Sequence, residues 1–414
     1  MWLIAKLLDR LIDEGPLTVI GHDGECRSFG EPSARVKPVT IKLHDARVER
    51  DILRNPRLAV GEAYMDGRVT VEEGDVLDFL RLVTWNGRWE RGGDKRKLFK
   101  RPGAKWMARL GMRNKVARAK ANVAHHYDLS DRLYDLFLDA DRQYSCAYFT
   151  DPANSLEQAQ ADKKAHIAAK LHLKPGQRVL DIGCGWGGMA LYLHAKAGVD
   201  VLGVTLSEEQ LAVANRRAAD AGVSEHVKFE LIDYRNVTGT FDRIVSVGMF
   251  EHVGPANYDA FFARCRGLLA KDGVMLLHTI GKLGKPGTTD PWLDKYIFPG
   301  GYNPALSEIV AASEKSKLIA ADVETLRLHY GYTVEHWLAA CRARKAEIVA
   351  LYDERFWRMW EFYLAGAITT FENGSGCNYQ IQYIRERRTL PILRDYMADA
   401  ERAISRQTIG PGAS

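Results

Sequence analysis

Val179-Leu180-Asp181-Ile182-Gly183-Cys184-Gly185-Trp186-Gly187-Gly188 is the stretch that decides the fold. Its apolar start predicts a buried strand. Its glycines predict a tight turn into a helix, at which the backbone can approach a ligand with no Cβ in between. The first N–H groups of such a helix have no partner within the helix and attract anionic or polar groups. Because a glycine-rich loop alone also fits a structural turn, the neighbouring segments must decide between the two interpretations.

Strands alternate with helical segments from about residue 155 onward. Apolar runs predict strands at 178–182, 201–205, 227–232, 243–247 and 274–279. This alternation predicts a doubly wound α/β domain with a mainly parallel sheet and helices on both faces. An insertion is predicted at about 282–320, followed by two helices and an alternating strand at 378–384.

Residues 1–90 have a pattern of their own. Apolar residues from Trp2 to Ile12 recur at helical spacing, and a further helix is predicted at 75–85. Short strand-like runs lie at 17–20, 26–29 and 39–43. These elements predict a smaller amino-terminal α/β domain. We expect a basic linker at 91–120, a catalytic domain at 121–400 and a tail at 401–414.

The composition is that of a globular protein, with 414 residues of which 46% are hydrophobic and 27% charged. The apolar start from Met1 to Ala5 is interrupted by Lys6, so we expect neither a signal peptide nor a membrane span, and we predict a cytoplasmic location. The six cysteines show no CxxC pair and no metal-like spacing. No metal site is therefore expected.

The predicted linker, together with the three residues before it, is strongly basic. Between Arg88 and Lys120, thirteen Lys or Arg residues stand against Glu90 and Asp94, a local net charge of +11 in a chain whose total is +5. A solvated connector explains such a run, and so does attraction to anionic lipid headgroups. No recognisable nucleic-acid module accompanies the charge, so no nucleic-acid partner is expected.

Polar segments follow the second and third predicted strands. They read Thr205-Leu206-Ser207-Glu208-Glu209-Gln210 and Asp233-Tyr234-Arg235. Strand ends in a doubly wound sheet converge on one crevice, so both segments can contact the ligand of the glycine-rich loop. Ser207 and Gln210 also fit a helix capping box, and the second segment also fits an ordinary polar loop. Thr205 stands where a dinucleotide enzyme carries an acidic residue, which disfavours a nicotinamide cofactor.

The pattern Asp-x-Gly-x-Gly-x-Gly, from Asp181 to Gly187, resembles the first motif of class I methyltransferases that use S-adenosylmethionine (SAM). Further motifs resemble the cyclopropane-fatty-acid and mycolic-acid cyclopropane synthase family over roughly residues 120–390. These motifs are His125-His126-Tyr127-Asp128-Leu129-Ser130, Gln143-Tyr144-Ser145-Cys146-Ala147-Tyr148-Phe149, Val204-Thr205-Leu206-Ser207, Ser246-Val247-Gly248-Met249-Phe250-Glu251-His252-Val253-Gly254, Leu277-His278-Thr279-Ile280-Gly281 and Tyr296-Ile297-Phe298-Pro299.

The resemblance implies a cofactor site and an ion site. The implied SAM contacts are Tyr127, Tyr144, Ser145, Asp181, Gly183, Gly185, Gly187, Thr205, Leu206, Gln210, Asp233 and Tyr234. The implied ligands of a bicarbonate ion are Cys146, Glu251, His278, the backbone of Ile280, and Tyr330, with Tyr332 as the competing assignment for Tyr330. Taken singly, Glu251 also fits a carboxylate at a helix start, and His278 also fits a satisfied histidine at a strand end.

The reaction implied is methylene transfer from SAM to the cis double bond of an acyl chain. An alkene is a weak nucleophile, so the methyl group must be held over it. The resulting carbocation requires a dry, aromatic-lined site, and ring closure requires a base, here bicarbonate. Aromatic candidates for that lining are Phe149, Phe250, Trp292, Tyr296, Phe298 and Phe362, each of which core packing also explains.

The substrate and partners follow from the amino-terminal stretch. Gly61-Glu62-Ala63-Tyr64-Met65-Asp66-Gly67 resembles the extra domain of bacterial family members that act on membrane phospholipids, which the mycolic-acid members lack. The resemblance therefore implies an unsaturated phospholipid substrate, peripheral association with an anionic membrane surface, and a homodimer. Three alternatives stay open: an enzyme that makes a methyl or methylene branch on the same lipids, a heteroatom methyltransferase, and a non-catalytic SAM sensor.

Overall fold

The computed structural model describes residues 2–91 and 130–406, which form two compact units. The smaller unit consists of residues 2–91, 288–299 and 330–376, and the larger unit consists of residues 130–287, 300–329 and 377–406. The basic run from 92 to 120 and the tail from 407 lie outside the described residues.

The strands are β1 Leu17–Ile20, β2 Cys26–Phe29, β3 Val39–Leu43, β4 Val69–Glu73, β5 Arg178–Ile182, β6 Asp200–Thr205, β7 Val227–Leu231, β8 Phe241–Val247, β9 Leu269–Lys282, β10 Ile319–Leu326 and β11 Gly376–Ile384. The helices are α1 Trp2–Leu11, α2 Ala46–Arg54, α3 Pro56–Met65, α4 Val76–Asn86, α5 Asp131–Asp135, α6 Leu156–Leu171, α7 Gly188–Ala197, α8 Glu208–Asp220, α9 Tyr258–Leu268, α10 Pro291–Tyr296, α11 Leu306–Lys315, α12 His329–Ala343, α13 Lys345–Leu351, α14 Glu354–Glu372 and α15 Asp395–Arg406.

The larger unit is built on a seven-stranded sheet with the order β10-β11-β9-β8-β5-β6-β7. Strands β5 to β9 pair in parallel, and β10 pairs antiparallel with β11. The order reverses at β5, so the carboxyl ends of β5, β6 and β8 surround a crevice at one edge of the sheet. The predicted doubly wound α/β class is confirmed.

Two apolar cores explain why this sheet forms. One contains Phe250, Phe261 and Phe262, and the other contains Leu193, Val201 and Phe229. Strands covered on both faces are continuously buried, as Arg178–Ile182 is after its first residue. The five predicted parallel strands are all present, β8 and β9 with earlier starts, whereas β10 was not predicted.

The smaller unit contains a four-stranded sheet with the order β2-β1-β3-β4. Its core includes Leu17, Leu43 and Leu82. The buried amide of Asn86 accepts the backbone N–H groups of Asp13 and Glu14, each at 2.9 Å, and thereby fastens the end of α4 to the turn after α1. The predicted α1, β1, β2, β3 and α4 are present, while α2, α3 and β4 were not predicted.

The compact units and the predicted domains divide the chain differently. Segments 288–299 and 330–376, which we placed in a catalytic domain at 121–400, belong to the smaller unit together with residues 2–91. In the described parts of the chain, none of the helices is both long enough and apolar enough to cross a membrane.

Candidate active site

A cavity of about 170 Å³ lies in the larger unit at the carboxyl ends of the parallel strands. Segments after β5, β6, β7 and β8 line it, together with the loop that precedes α6. Ten predicted cofactor contacts are in the lining: Tyr144, Ser145, Asp181, Gly183, Gly185, Thr205, Leu206, Gln210, Asp233 and Tyr234. Tyr127 lies outside the described residues. The structure therefore brings most of the predicted set to one place.

The glycine-rich loop turns through left-handed backbone conformations. Gly183 has a φ of +83° and Gly185 a φ of +55°, a region that residues with a Cβ adopt at a cost. A Cβ on Gly185 would meet no protein atom within 4 Å. Gly187 is not in the lining, and a Cβ there would lie 2.7 Å from the Phe229 ring. In this structure, Gly187 therefore permits close packing of α7 on the sheet.

Asp181 lines the cavity and is almost fully buried. Its Oδ2 atom has no hydrogen-bond partner among the described residues. Burial raises the pKa of Asp181 to about 7, against the opposing charge of Lys163. A buried oxygen without a partner costs free energy unless a ligand supplies a donor, so its position in the lining suits a polar ligand.

The segment after β6 caps α8 through Ser207 but does not form the reciprocal capping box. Ser207 caps α8, because its Oγ accepts the Gln210 N–H at 3.2 Å. The reciprocal bond of a capping box is absent: the Ser207 N–H donates to Thr205 Oγ1, and Thr205 Oγ1 donates to Gln210 Oε1 at 3.0 Å. The buried Gln210 Nε2 has no partner in the described residues, so its amide donors face the cavity lining unsatisfied.

The segment after β7 begins a short 3₁₀ helix. Asp233 accepts the backbone N–H of Arg235 at 2.9 Å and pairs with its guanidinium at 2.6 Å. Burial raises the pKa of Asp233, but the hydrogen bonds from Arg235 outweigh this effect and leave it below the ordinary value. Tyr234 packs edge-on against Phe261, with ring centroids 5.4 Å apart. Both residues line the cavity with fixed orientations.

The loop before α6 is fastened to that helix. Gln160 Nε2 donates to the carbonyls of Gln143 and Ser145 at 3.1 and 3.0 Å. Lys163 donates to Gln143 Oε1 at 2.5 Å and to Ser145 Oγ at 3.0 Å. Burial lowers the pKa of Lys163 to about 8, while Asp139 opposes this shift. Sequence reasoning missed Lys163, because Lys-Lys in a helix resembles a solvated face.

Two predicted ion ligands meet directly. The Ile280 backbone N–H donates to Glu251 Oε1 at 2.5 Å, and the buried Glu251 Oε2 has no partner in the described part of the chain. Burial raises the pKa of Glu251 to about 7, with the Ile280 N–H opposing. Glu251 can therefore hold or release a proton near neutral pH, and releasing its contact with Ile280 would free a backbone donor.

His278 lies two residues before Ile280 on β9, and its carbonyl accepts the Gly248 N–H at 3.0 Å. Burial lowers the pKa of His278 to about 3, and the charges of Lys163 and Lys170 add to this effect. The imidazole is therefore neutral, and one of its nitrogens carries a hydrogen that can be donated.

The remaining predicted ion ligands occupy different settings. Cys146 is buried beside Ser145, and its Sγ donates to the Ala147 carbonyl at 3.3 Å. Tyr330 belongs to the smaller unit, where its ring packs edge-on against Phe371 at 4.9 Å and Trp337 at 5.7 Å. Tyr332, the competing assignment, is more exposed than Tyr330.

The aromatic residues predicted to line the substrate site lie in different parts of the structure. Phe250 stacks on Tyr258, with ring centroids 4.3 Å apart, and packs edge-on against Phe261 within the core. Its position therefore fits core packing, which was the alternative to a role in lining the substrate site. Trp292 and Phe362 contact each other in the smaller unit, with ring centroids 5.0 Å apart.

A mainly parallel seven-stranded sheet with a glycine-rich turn after its first strand and a polar cavity at the strand ends defines a class I SAM-dependent methyltransferase. The family model described as mycolic acid cyclopropane synthetase matches residues 114–381. The chain belongs to that family. A second model, described as a domain of unknown function (DUF7884), matches residues 3–88.

Similarity to individual proteins supports the same family assignment. The chain is 40% identical to the cyclopropane-fatty-acyl-phospholipid synthase of Escherichia coli K12, over 81% of this chain and 85% of that protein. It is 34% identical to a probable fatty acid methyltransferase of Pseudomonas putida, over 87% of this chain and 89% of that protein. A solved structure of the mycolic acid cyclopropane synthase CmaA1, complexed with SAH and CTAB, matches with a TM-score of 0.60 and 35% identity, and covers 64% of this chain and 97% of that one.

Proposed function

We propose that this protein transfers a methylene group from SAM to the cis double bond of an unsaturated phospholipid acyl chain and forms a cyclopropane ring. The observation that carries the proposal is the extent of similarity. The phospholipid synthase of Escherichia coli matches 81% of this chain, whereas the mycolic acid synthase structure covers 64%. The amino-terminal part thus favours a phospholipid over a mycolic acid substrate.

The residues of the cavity fit SAM. Bound SAM supplies an electrophilic methyl group. Gly185 leaves room for a ligand, and Asp181 Oδ2 and Gln210 Nε2 offer a buried acceptor and donor that need partners. The contacts assigned to Tyr144, Ser145, Asp233 and Tyr234 are consistent with their place in the lining. Tyr127 stays a prediction.

The base is proposed to be bicarbonate held by Cys146, Glu251, His278 and Ile280. A protonated Glu251 and the neutral His278 can both donate hydrogen bonds to an anion, and a pKa of about 7 for Glu251 makes that protonated form accessible. Lys163, which is fully buried, contributes positive charge that acts on His278 and Cys146. These groups suit the holding of an anion and the acceptance of a proton in a dry setting. Tyr330 stays a prediction as a further ligand.

An apolar cavity in the smaller unit supports a long-chain substrate. It has a volume of about 370 Å³ and is lined chiefly by Leu, Ile, Val and Phe side chains of α1, β1, β3, α4, α10 and α14. Arg57 and Asp290, paired at 3.1 Å, are its charged lining residues. Burial of a hydrocarbon chain against such an apolar lining is favourable, whereas a polar ligand would find few hydrogen-bond partners there.

Action at the cytoplasmic face of a membrane, through the basic run 88–120, and a homodimeric state also belong to the proposal. Of that run, Arg88 and Arg91 are described: Arg88 lies over the Trp85 ring at 4.0 Å, and Arg91 pairs with Glu14. Charge reversal at Lys95, Arg96, Lys97, Lys100 and Arg101 should weaken binding to anionic vesicles, and unchanged binding would rule out this role.

The deciding experiment supplies SAM with three deuteriums on the transferred methyl group to vesicles of unsaturated phospholipid. A cyclopropane retains two deuteriums, because one leaves with the base, and proton NMR of an unlabelled sample must show shielded ring protons. A saturated methyl branch retains all three deuteriums, and an exocyclic methylene retains two but gives vinylic protons. The similarity to a probable fatty acid methyltransferase makes branching the second candidate, and either of those results would establish it in place of the synthase.

A further inference from the structure

His278 lies between two amide side chains of β11. Gln380 Nε2 is 3.1 Å from His278 Nδ1, and Asn378 Nδ2 is 3.5 Å from His278 Nε2. All three side chains are at most 1% exposed. A neutral imidazole has one donor and one acceptor nitrogen, so both amides cannot present donors to it.

Lys170 decides which amide is fixed. Its ammonium donates to Gln380 Oε1 at 2.9 Å. An ammonium has donors only, so the Gln380 oxygen must face Lys170 and its NH₂ group must face His278. Nδ1 of His278 is therefore the acceptor, and its proton lies on Nε2.

Asn378 is free of this constraint. Its Oδ1 atom is buried and has no hydrogen-bond partner among the described residues. Rotation of the amide by 180° would place that oxygen near the Nε2–H of His278, at a distance that is long for a hydrogen bond. The Nε2–H is thus left available to a stronger acceptor such as an anion.

The orientation of Lys170 is itself supported by a partly buried ionic network. Lys170 also donates to Glu324, which contacts His166 Nε2 at 2.7 Å, and His166 Nδ1 contacts Glu401 of α15 at 2.8 Å. Burial raises the pKa of Glu324, but His166 and Lys170 outweigh it and lower the pKa to about 2. Glu324 is therefore ionised and favours the charged form of Lys170.

We propose that Lys170 and Gln380 are positioning residues that hold His278 as its Nε2–H tautomer, which leaves that hydrogen available for donation to the ion. The catalytic consequence rests on the proposed function, whereas the tautomer follows from the contacts alone. Neither Lys170 nor Gln380 lines the cofactor cavity. Their effect should therefore fall on turnover and spare SAM affinity.

The test is nitrogen-15 NMR of the full-length protein with labelled histidine, with His278 signals identified by their loss in His278→Gln. We expect an unprotonated Nδ1 and a protonated Nε2 in the unmodified protein. In Gln380→Glu the carboxylate keeps its pairing with Lys170 but can only accept from His278, so the tautomer should reverse. Turnover should fall at least about tenfold, with the Kd for SAM within about twofold.

Gln382→Glu is the matched control. Gln382 is buried on the same strand, but its amide contacts the Lys170 carbonyl and the Tyr396 hydroxyl, so the tautomer of His278 should not change. A protonated Nδ1 in the unmodified protein would overturn the proposal, and that spectrum requires no variant to fold. A reversed tautomer with full turnover would overturn the positioning role. Absence of a cyclopropane product from the unmodified enzyme would instead refute the proposed function and leave the tautomer result intact.

Discussion

Two cavities in the described part of the chain differ in the kind of ligand that their linings can bind. The cavity of the larger unit, about 170 Å³, presents polar atoms that need partners, such as Asp181 Oδ2 and Gln210 Nε2, beside glycines in left-handed conformations. The cavity of the smaller unit, about 370 Å³, is lined almost throughout by hydrocarbon. The first suits a ligand with directed hydrogen bonds, and the second suits one that is recognised by apolar area.

This difference also explains which cavity the sequence reveals. Directed contacts depend on particular residues at strand ends, so they leave motifs such as Asp181 to Gly187. An apolar lining needs only suitable volume, and its residues come from separate helices and strands of the smaller unit. Four measurements test this contrast between a polar and an apolar site.

Gly185→Val tests the polar cavity most severely. The added side chain meets no protein atom at its Cβ and should occupy ligand space, so SAM binding should weaken by about 100-fold or more, equal to about 2.7 kcal/mol. Calorimetric titration measures this. Gly176→Val is the control, because Gly176 also has a positive φ and open surroundings but is not in the lining. Unchanged affinity in Gly185→Val would show that SAM binds elsewhere.

Glu251→Gln separates the ion site from the cofactor cavity. The amide keeps an acceptor for the Ile280 N–H but cannot exchange a proton near neutral pH, so turnover should fall about 10²- to 10⁴-fold with SAM affinity nearly unchanged. Glu308→Gln serves as control, since Glu308 bonds Tyr302 and caps α11. Near-normal turnover in Glu251→Gln would remove this residue from the base site.

Gly366→Phe tests the apolar cavity. Gly366 lines it within α14, and a Cβ there would meet nothing within 4 Å, so the ring should fill the space and avoid a backbone clash. The KM for phospholipid vesicles at saturating SAM should rise about tenfold, equal to about 1.4 kcal/mol, while SAM affinity stays the same. Gly267→Phe, in the similarly open α9 of the larger unit, controls for an added aromatic residue. An unchanged KM would exclude the acyl chain from this cavity.

The smallest effect concerns stability and pH. Since the pKa of Asp181 is about 7 in the folded protein and 3.8 is the ordinary value, the folded state retains a proton between about pH 4 and 7 that the unfolded state releases. Stability should therefore fall as pH rises through that window, and Asp181→Asn should lack this part of the fall. The variant should gain about 1 kcal/mol or more relative to the unmodified protein between pH 5 and 8 in urea unfolding. Asp259→Asn, at an exposed carboxylate, should show no such gain.

The parallel sheet was predictable because its strands are locally apolar, but β10 was not. Apolar and polar residues alternate only around Val323, between Asp322 and Glu324. These two carboxylates pair with Arg394 and Lys170, which lie far away in the sequence. Helices α2 and α3 were missed although Asp45 caps the first and Pro56 begins the second. The polar composition of α2 concealed it, whereas α3 is largely apolar but lacks a clear amphipathic face, and Asn55 between the two helices reads as part of a loop.

The candidate site shows a similar limit. The cavity lining follows strand ends and could be predicted from motifs, whereas Lys163 could not, because only tertiary packing distinguishes it from the adjacent Lys164. Likewise, Gln380 and Lys170 reach His278 from elements far apart in the chain. Contacts of this kind depend on sheet order, which single-chain periodicity does not encode.

The hydrogen bonds of Gln160 and Lys163 affect the kinetics of ligand binding. Four hydrogen bonds from one face of α6 hold the loop that carries Tyr144 and Ser145 before any ligand arrives. The conformational entropy of that loop is therefore lost during folding and not during association. This wall of the cavity is preorganised, so association should need little rearrangement of the loop, and weakening its attachment to α6 should slow capture as well as loosen binding.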